Sequence, residues 1–301
     1  MGTLFNITVS TKLSEKQLKE VFKDCELEAK RINDVFSVYK KDSQVSQVNK
    51  NAGLKPVKVK KEIIDIIKTA NSVSKKTNGA FDITFLPVGK LWDFMMENPK
   101  LPQEASIKNK LRLINYNKII IDEENKTVFL KDEGMSFGFG GIVKGYSLKQ
   151  ISEILKKNGI NNAIVDGGGD LFILGKKPND NWAIGVKDPR NKNALVYRLK
   201  VNKDLACVTS GDYERFFIYE DQRYHHIIDP KTGYPANKTR SVTLLAKDPS
   251  IADAYATAIF ILGKDLGLKL ANETPEIEVL LIDNENITHS SLNFFKWVTS
   301  F

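Results

Sequence analysis

The stretch Ala163-Ile164-Val165-Asp166-Gly167-Gly168-Gly169-Asp170-Leu171-Phe172-Ile173-Leu174 reads as two short apolar β runs separated by a triple-glycine turn. Similar short runs follow at Ala183–Val186, Val196–Val201, Phe216–Tyr219 and Val242–Ala246, so the chain from Asn162 to about Ala246 is mostly strands. A further strand is expected at Val279–Ile282, and two short runs between Lys118 and Leu130 flank Glu123-Glu124-Asn125-Lys126 as a hairpin. Helical patterns surround these runs. Ser14-Glu15-Lys16-Gln17 has the form of a capping box, and Leu18, Val21, Phe22, Cys25, Ala29, Ile32, Val35 and Phe36 then recur at steps of mostly three and four. A second helix starts near Lys61 and stops at Asn78-Gly79, a third follows the glycines at 138–145, and a late one runs from Ser250 to about Leu262. Clustered strands with intervening helices predict an α+β fold rather than a doubly wound sheet. With no Pro/Ser/Gly-rich linker in view, residues 1–301 are expected to form a single large domain of mixed sheets with flanking helices.

Of 301 residues, 42% are hydrophobic and 27% charged, the proportions of a chain able to bury a sizeable core. The net charge is +8, which raises nucleic acid or an anionic membrane as partners. The lysines are spread along the chain beside acids, though, and pairs such as Lys40-Lys41 and Lys60-Lys61 are too short to be polybasic arms. A solvated lysine-rich surface is the simpler reading; no nucleic-acid partner is expected, and the charge favours an anionic ligand. The two cysteines, Cys25 and Cys207, look like small buried hydrophobes and supply neither a metal motif nor a disulfide framework. No apolar run reaches membrane-spanning length. The chain moves from Met1-Gly2-Thr3 directly into strand-like Leu4–Val9, which leaves open a leader removed upstream.

Four segments carry possible chemistry. Gly138-Phe139-Gly140-Gly141-Ile142-Val143-Lys144-Gly145-Tyr146 lies between a strand-like run and a helix, where backbone amides and a lysine suit phosphate oxygens. It has neither the Walker A spacing nor the βαβ context of a dinucleotide fingerprint, and alone it is as readily structural as functional. Asp166-Gly167-Gly168-Gly169-Asp170 alone would be read as a tight turn. Tyr224-His225-His226-Ile227-Ile228-Asp229-Pro230 holds two of the three histidines. On the late helix, Asp253 and Thr257 are four apart and share a face, two hard oxygens of the kind magnesium prefers, although an ordinary helix would show the same pair.

Together these segments resemble the FAD:protein FMN transferase, or ApbE, family. Further matches run in order: Met1-Gly2-Thr3; Phe36-Ser37-Val38-Tyr39 with Asp42-Ser43 and Asn49; Gly79-Ala80-Phe81-Asp82-Ile83-Thr84 with Pro87 and Leu91-Trp92; Ser210-Gly211-Asp212-Tyr213 with Arg215-Phe216; and Ala252-Asp253-Ala254 with Ala256-Thr257-Ala258. The resemblance implies a T-fold-like flavin transferase fold. It also implies FAD as substrate, held by Met1, Tyr39, Ala80, Phe81, Asp82, Gly138, Lys144, His226 and Ile227, and Mg²⁺ on Gly141 (through its carbonyl), Asp253 and Thr257. The implied reaction moves the FMN half of FAD onto a Thr or Ser hydroxyl of an acceptor flavoprotein, with AMP leaving and His226 as general base. The implied acceptor segment is Asp-x-x-Ser/Thr-Gly-Ala-Thr/Ser. Relatives are commonly exported lipoproteins, so export to the periplasmic side is expected, with membrane contact only through a lipid anchor outside this chain; a cytoplasmic location is the alternative.

One position departs from the pattern. Many relatives carry an acid where Gly138 stands, and the Gly138 amide is expected to replace that contact or affinity to fall. Two other functions stay open at this point: hydrolysis of FAD to FMN and AMP at the same site, and flavin binding without catalysis. His225, adjacent to His226 in an expected strand, should point to the opposite face and tolerate replacement.

Overall fold

The triple-glycine turn sits inside the main sheet. The computed structural model describes residues 3–94 and 100–301. Its seven-stranded sheet takes, in spatial order, β1 (Phe5–Val9), β5 (Ala163–Gly167), β6 (Leu171–Leu174), β9 (Leu205–Gly211), β12 (Thr239–Ala246), β13 (Ile277–Asp283) and β14 (Thr288–Ser290), and every pairing is antiparallel. A three-stranded sheet of β15 (Thr299–Ser300), β8 (Leu195–Val201) and β7 (Trp182–Lys187) covers one of its faces. Val242, Leu244 and Ala246 of β12 belong to the main helical core, whereas Leu245 joins Cys207, Trp182 and Leu199 in the second core. Strand alternation thus serves two layers at once, and β9 and β12 read as continuous apolar runs because both faces are buried.

The helices lie on the first of these faces. They are α1 (Glu15–Phe36), α2 (Gln44–Lys50), α3 (Lys61–Lys76), α6 (Val143–Lys157), α7 (Pro249–Leu262) and α8 (Lys264–Asn272), with short α4 (Leu86–Gly89), α5 (Glu104–Leu111) and α9 (Phe294–Trp297) elsewhere. The capping box at Ser14 and Gln17 is present, and α1 buries Val21, Cys25, Ile32 and Phe36 on one stripe. Asn78 and Gly79 take positive φ, and Gly79 N donates to Ser74 O at 2.8 Å, which ends α3 where the sequence puts its stop. A small sheet of β2 (Val57–Lys58), β4 (Thr127–Leu130) and β3 (Ile119–Asp122) packs on the same core. The hairpin of β10 (Phe216–Tyr219) and β11 (Gln222–His225) turns through Glu220 and Asp221, both at positive φ, and covers a third apolar cluster with Trp92 and Val88. Among the described residues no helix is long and apolar enough to cross a membrane.

Candidate active site

The site forms where α6 crosses the start of α7. A Cβ at Gly145 would lie 2.0 Å from Pro249 O and 2.5 Å from its carbonyl carbon, so glycine is what permits the crossing. The N-cap residue of α6, Ile142, gives no side-chain cap. Asp253 of α7 supplies one from across the interface, its Oδ2 accepting the Gly145 amide at 3.1 Å. Asp253 is 3% exposed, and burial pushes its carboxyl pKa up, with Asp170 adding to the rise and Lys144 opposing it.

Lys144, on the first turn of α6, forms an ion pair with Asp170 at the end of the triple-glycine turn. Asp170 is buried and also accepts the Thr209 amide at 3.0 Å. Burial alone would lower the Lys144 pKa, but the Asp170 and Asp253 charges hold it above the ordinary lysine value. Lys144 is therefore a fixed cation. Gly141 stands between two partners: a Cβ there would be 3.1 Å from Thr257 Oγ1 and 3.1 Å from the Phe81 ring, while one at Gly140 would meet nothing. Thr257 Oγ1 also donates to Asp253 O at 3.3 Å. The chain start reaches the same place, since a Cβ at Gly168 would strike Thr3 Oγ1. Met1 lies outside the described residues.

His226 follows β11 and is half-buried. Its amide donates to Arg215 O at 3.0 Å, and its Nδ1 lies 3.3 Å from the same oxygen. A carbonyl only accepts, so Nδ1 carries the proton and Nε2 keeps a lone pair, the form a general base needs. Burial pushes the His226 pKa down to about 4, helped by the charges of His225, Arg215 and Lys144. The ring is therefore neutral well below the near-neutral range in which an ordinary imidazole titrates. Ile227 is buried, and its carbonyl accepts the Ala236 amide at 3.0 Å.

Three expectations change. His225 is 4% exposed, its Nε2 donates to Ala236 O at 2.6 Å, its Nδ1 accepts the Ile227 amide at 3.3 Å, and its ring meets Phe260 edge-on. It points away from His226 as strand alternation requires, but into the core, so it is structural rather than tolerant. Gly138 N donates to Ile83 O at 2.9 Å and does not stand free in place of the missing acid. Asp82 is buried and spends both carboxylate oxygens on a staple: Oδ1 accepts from Thr84 N at 2.8 Å and Thr84 Oγ1 at 2.6 Å, and Oδ2 from Tyr116 N at 2.9 Å. Burial raises its pKa against those bonds. This side chain shapes the loop that presents Ala80 and Phe81, both buried. Tyr39, by contrast, is 91% exposed on the loop between α1 and α2.

Sequence reasoning missed Asp170, whose only signal was an acid closing a glycine turn. Two surface concavities, of about 610 and about 290 Å³, are lined by none of these residues, though the smaller one borders the α6–α7 crossing through Tyr146 and Ser250.

Comparison with known proteins gives one answer. The family model described as "ApbE family" matches residues 1–281. A Klebsiella pneumoniae protein named FAD:protein FMN transferase is 33% identical over 87% of this chain and 82% of its own, and one of the same name from Treponema pallidum is 31% identical over 94% and 82%. Among solved structures, the ApbE protein of Thermotoga maritima superposes with a TM-score of 0.90 at 34% identity, covering 98% of this chain and 96% of that one. The flavin transferase ApbE of Vibrio cholerae gives 0.87 at 26% identity, over 99% and 96%. With its glycine turn, its late-helix Asp and Thr and its paired histidines set in this shared fold, the chain belongs to the ApbE family.

Proposed function

We infer that this protein transfers the FMN half of FAD onto a Thr or Ser hydroxyl of an acceptor protein and releases AMP. The observation that carries the reading is a fixed cation, Lys144, whose charge acts both on a buried acid at a helix N-terminus, Asp253, and on a neutral imidazole, His226. The names of the relatives, FAD:protein FMN transferase, support it. In the reaction, the acceptor oxygen bonds to the FMN-side phosphorus, the bond from that phosphorus to the bridging oxygen breaks, and AMP takes that oxygen. His226 Nε2 receives the acceptor's proton. Lys144, oriented by Asp170, places positive charge beside the pyrophosphate, and the glycine turn lets the ligand approach the backbone. Tyr39, exposed on the loop between α1 and α2, would stack on a flavin or adenine ring.

The residues fit a magnesium ion. Among the described residues no group of three or more His, Cys, Asp or Glu is suited to a metal. The set here is instead one carboxylate with neutral oxygens: Asp253, the Thr257 hydroxyl and the Gly141 carbonyl. Magnesium is commonly held by one or two protein carboxylates, with water and phosphate completing its shell. The buried Asp253, its pKa raised by burial and by the Asp170 charge in spite of Lys144, is the side chain such an ion would relieve. When bound, the ion would neutralise charge growing on the phosphate oxygens.

The test is incubation with FAD, Mg²⁺ and a flavoprotein domain carrying an Asp-x-x-Ser/Thr-Gly-Ala-Thr/Ser segment. Fluorescent labelling of that domain, dependent on Mg²⁺, supports transfer. Free FMN without labelling assigns a hydrolase, and unchanged FAD assigns a binder.

A further inference from the structure

The segment that leads into the glycine cluster has no ladder of its own. Residues 135–139 lie outside every helix and strand and are buried, so their backbone groups need partners from elsewhere. Gly138 N finds Ile83 O at 2.9 Å. Both groups of Phe137 are taken by a single side chain, that of Asn49 in the last turn of α2. Its Nδ2 donates to Phe137 O at 2.9 Å, and Phe137 N donates to its Oδ1 at 2.9 Å. A peptide N–H can only donate and a carbonyl can only accept, so the partners fix which way the amide points. The pair imitates one rung of an antiparallel ladder, supplied from 88 positions away.

The same helix holds the Tyr39 loop from its other end. Ser37 O accepts from Ser43 Oγ at 2.5 Å and from Ser46 Oγ at 3.3 Å, while Ser37 Oγ accepts the amides of Tyr39 and Lys40, both at 3.1 Å. Ser43 is also the N-cap of α2. Phe36, the last residue of α1, sets its ring edge-on to Phe139 at 5.3 Å and to Tyr146 of α6 at 5.6 Å. Phe139 in turn meets Phe137 at 5.0 Å. The loop that carries Tyr39 is thus fastened at both ends to the segment that leads into Gly140, Gly141 and Lys144. The Tyr39 ring itself stays exposed.

A dinucleotide must be gripped at a ring and at its pyrophosphate together. Two such grips reinforce each other only if their separation is set before the ligand arrives; a loop ordered on binding loses part of the gain to its own entropy. Here the two grips sit on different segments, and α2 is the strut between them. We propose that Asn49 is a positioning residue for FAD, a role that rests on the FAD-binding reading of Tyr39 and Lys144 above. It locks α2, and Tyr39 with it, to the backbone of the glycine segment, and so sets the distance between ring and pyrophosphate contacts. Asparagine is the residue that meets both Phe137 groups. Aspartate would set a second oxygen against Phe137 O, and glutamine would carry the amide one methylene too far.

The experiment is a fluorescence titration with FAD and Mg²⁺, paired with a melting curve. The proteins are wild type, Asn49→Asp, Asn49→Ser, Tyr39→Ala, and Tyr39→Ala combined with each Asn49 variant. Asn49→Asp should weaken FAD binding about tenfold per folded molecule. Asn49→Ser leaves room for water to reach both Phe137 groups, so it should weaken binding less, and it carries the test if Asn49→Asp folds poorly. The coupling decides the role. Tyr39→Ala should cost much less FAD affinity in an Asn49 variant than in wild type, because the ring is no longer held in register. A lower melting temperature with unchanged FAD affinity in the folded Asn49 variants overturns the proposal and leaves Asn49 a clamp of the fold. Losses that simply multiply in the double variants also overturn it, since a residue that acts through Tyr39 is not independent of it. A wild type that binds no FAD overturns this role and the transferase reading together. Coupled FAD binding without labelling of an acceptor supports the role of Asn49 and overturns the transferase reading alone.

Discussion

The buried half of the site and its exposed rim are held together by different means. At the α6–α7 crossing, Asp253 caps a helix and Asp170 anchors both Lys144 and the Thr209 amide, so the groups proposed to meet the ligand also hold the fold. In the proposed rim, Tyr39 is 91% exposed and the His226 ring meets Arg215 O at 3.3 Å. The lesson is that damage to stability and damage to activity should travel together in the first half and separate in the second.

The largest effect should come from Gly145→Ala. The added Cβ meets backbone atoms of Pro249 and Ser250, which move only if a helix moves. We expect a loss of about 3 kcal/mol or more in a denaturant melt, with transfer activity lost alongside. A wild-type melting curve for this variant would break the comparison at its base. Asp253→Ala comes next. It should abolish Mg²⁺-dependent labelling and, by orphaning amides at the start of α6, cost about 1–3 kcal/mol of stability. Thr257→Val should do less to activity, because water can replace a neutral hydroxyl. Retained labelling in Asp253→Ala would remove the metal assignment.

His226 and His225 test the rim against the core within two adjacent residues. His226→Gln should lower single-turnover labelling at saturating FAD by about 10²–10⁴ with little change in melting temperature. His225→Gln should do the reverse, losing about 1–3 kcal/mol of stability with its two hydrogen bonds while keeping most activity per folded molecule. Equal losses of rate in both would return His226 to a structural role. The pH profile sharpens this. Only neutral imidazole accepts a proton, and the His226 pKa is pushed down to about 4, so its rising limb should centre near pH 4 and the rate should be level above about pH 5. Both histidines have folded pKa values below the ordinary 6.5, so the unfolded chain binds protons first. Their contribution is complete above pH 6.5 and is lost as pH falls towards 4. A melting temperature that stays level across that window would contradict the buried, neutral reading.

What the sequence made legible was local. The α1 stripe, the Ser14 box, the Asn78-Gly79 stop and the hairpin around Lys126 each depend on residues within a turn or two of one another, and each is found. β9 is absent from the strands expected from sequence, because a strand buried on both faces shows no alternation. α5 and α8 passed unread, being short, with few buried residues to mark a stripe. In the site, residue types were visible but pairings were not. Nothing near Asp82 in sequence says that its second oxygen holds Tyr116, and nothing near Lys144 names Asp170, because both partners arrive through the tertiary fold.

The smallest expected effect isolates the rim. Tyr39 buries almost nothing within the protein, so Tyr39→Ala leaves no cavity and should leave the melting temperature unchanged. If the ring stacks on a flavin or adenine, its loss should weaken FAD binding by about 1–3 kcal/mol, a factor of about 5 to 150 in Kd. Tyr39→Phe should bind nearly as well, because stacking needs the ring and not the hydroxyl. Fluorescence titration with FAD measures all three proteins. A weaker Kd with an unchanged melt is the signature of a group that serves only the ligand. An unchanged Kd in Tyr39→Ala would take the ring out of the site. The exposed half would then reduce to His226 and whatever docks beside it.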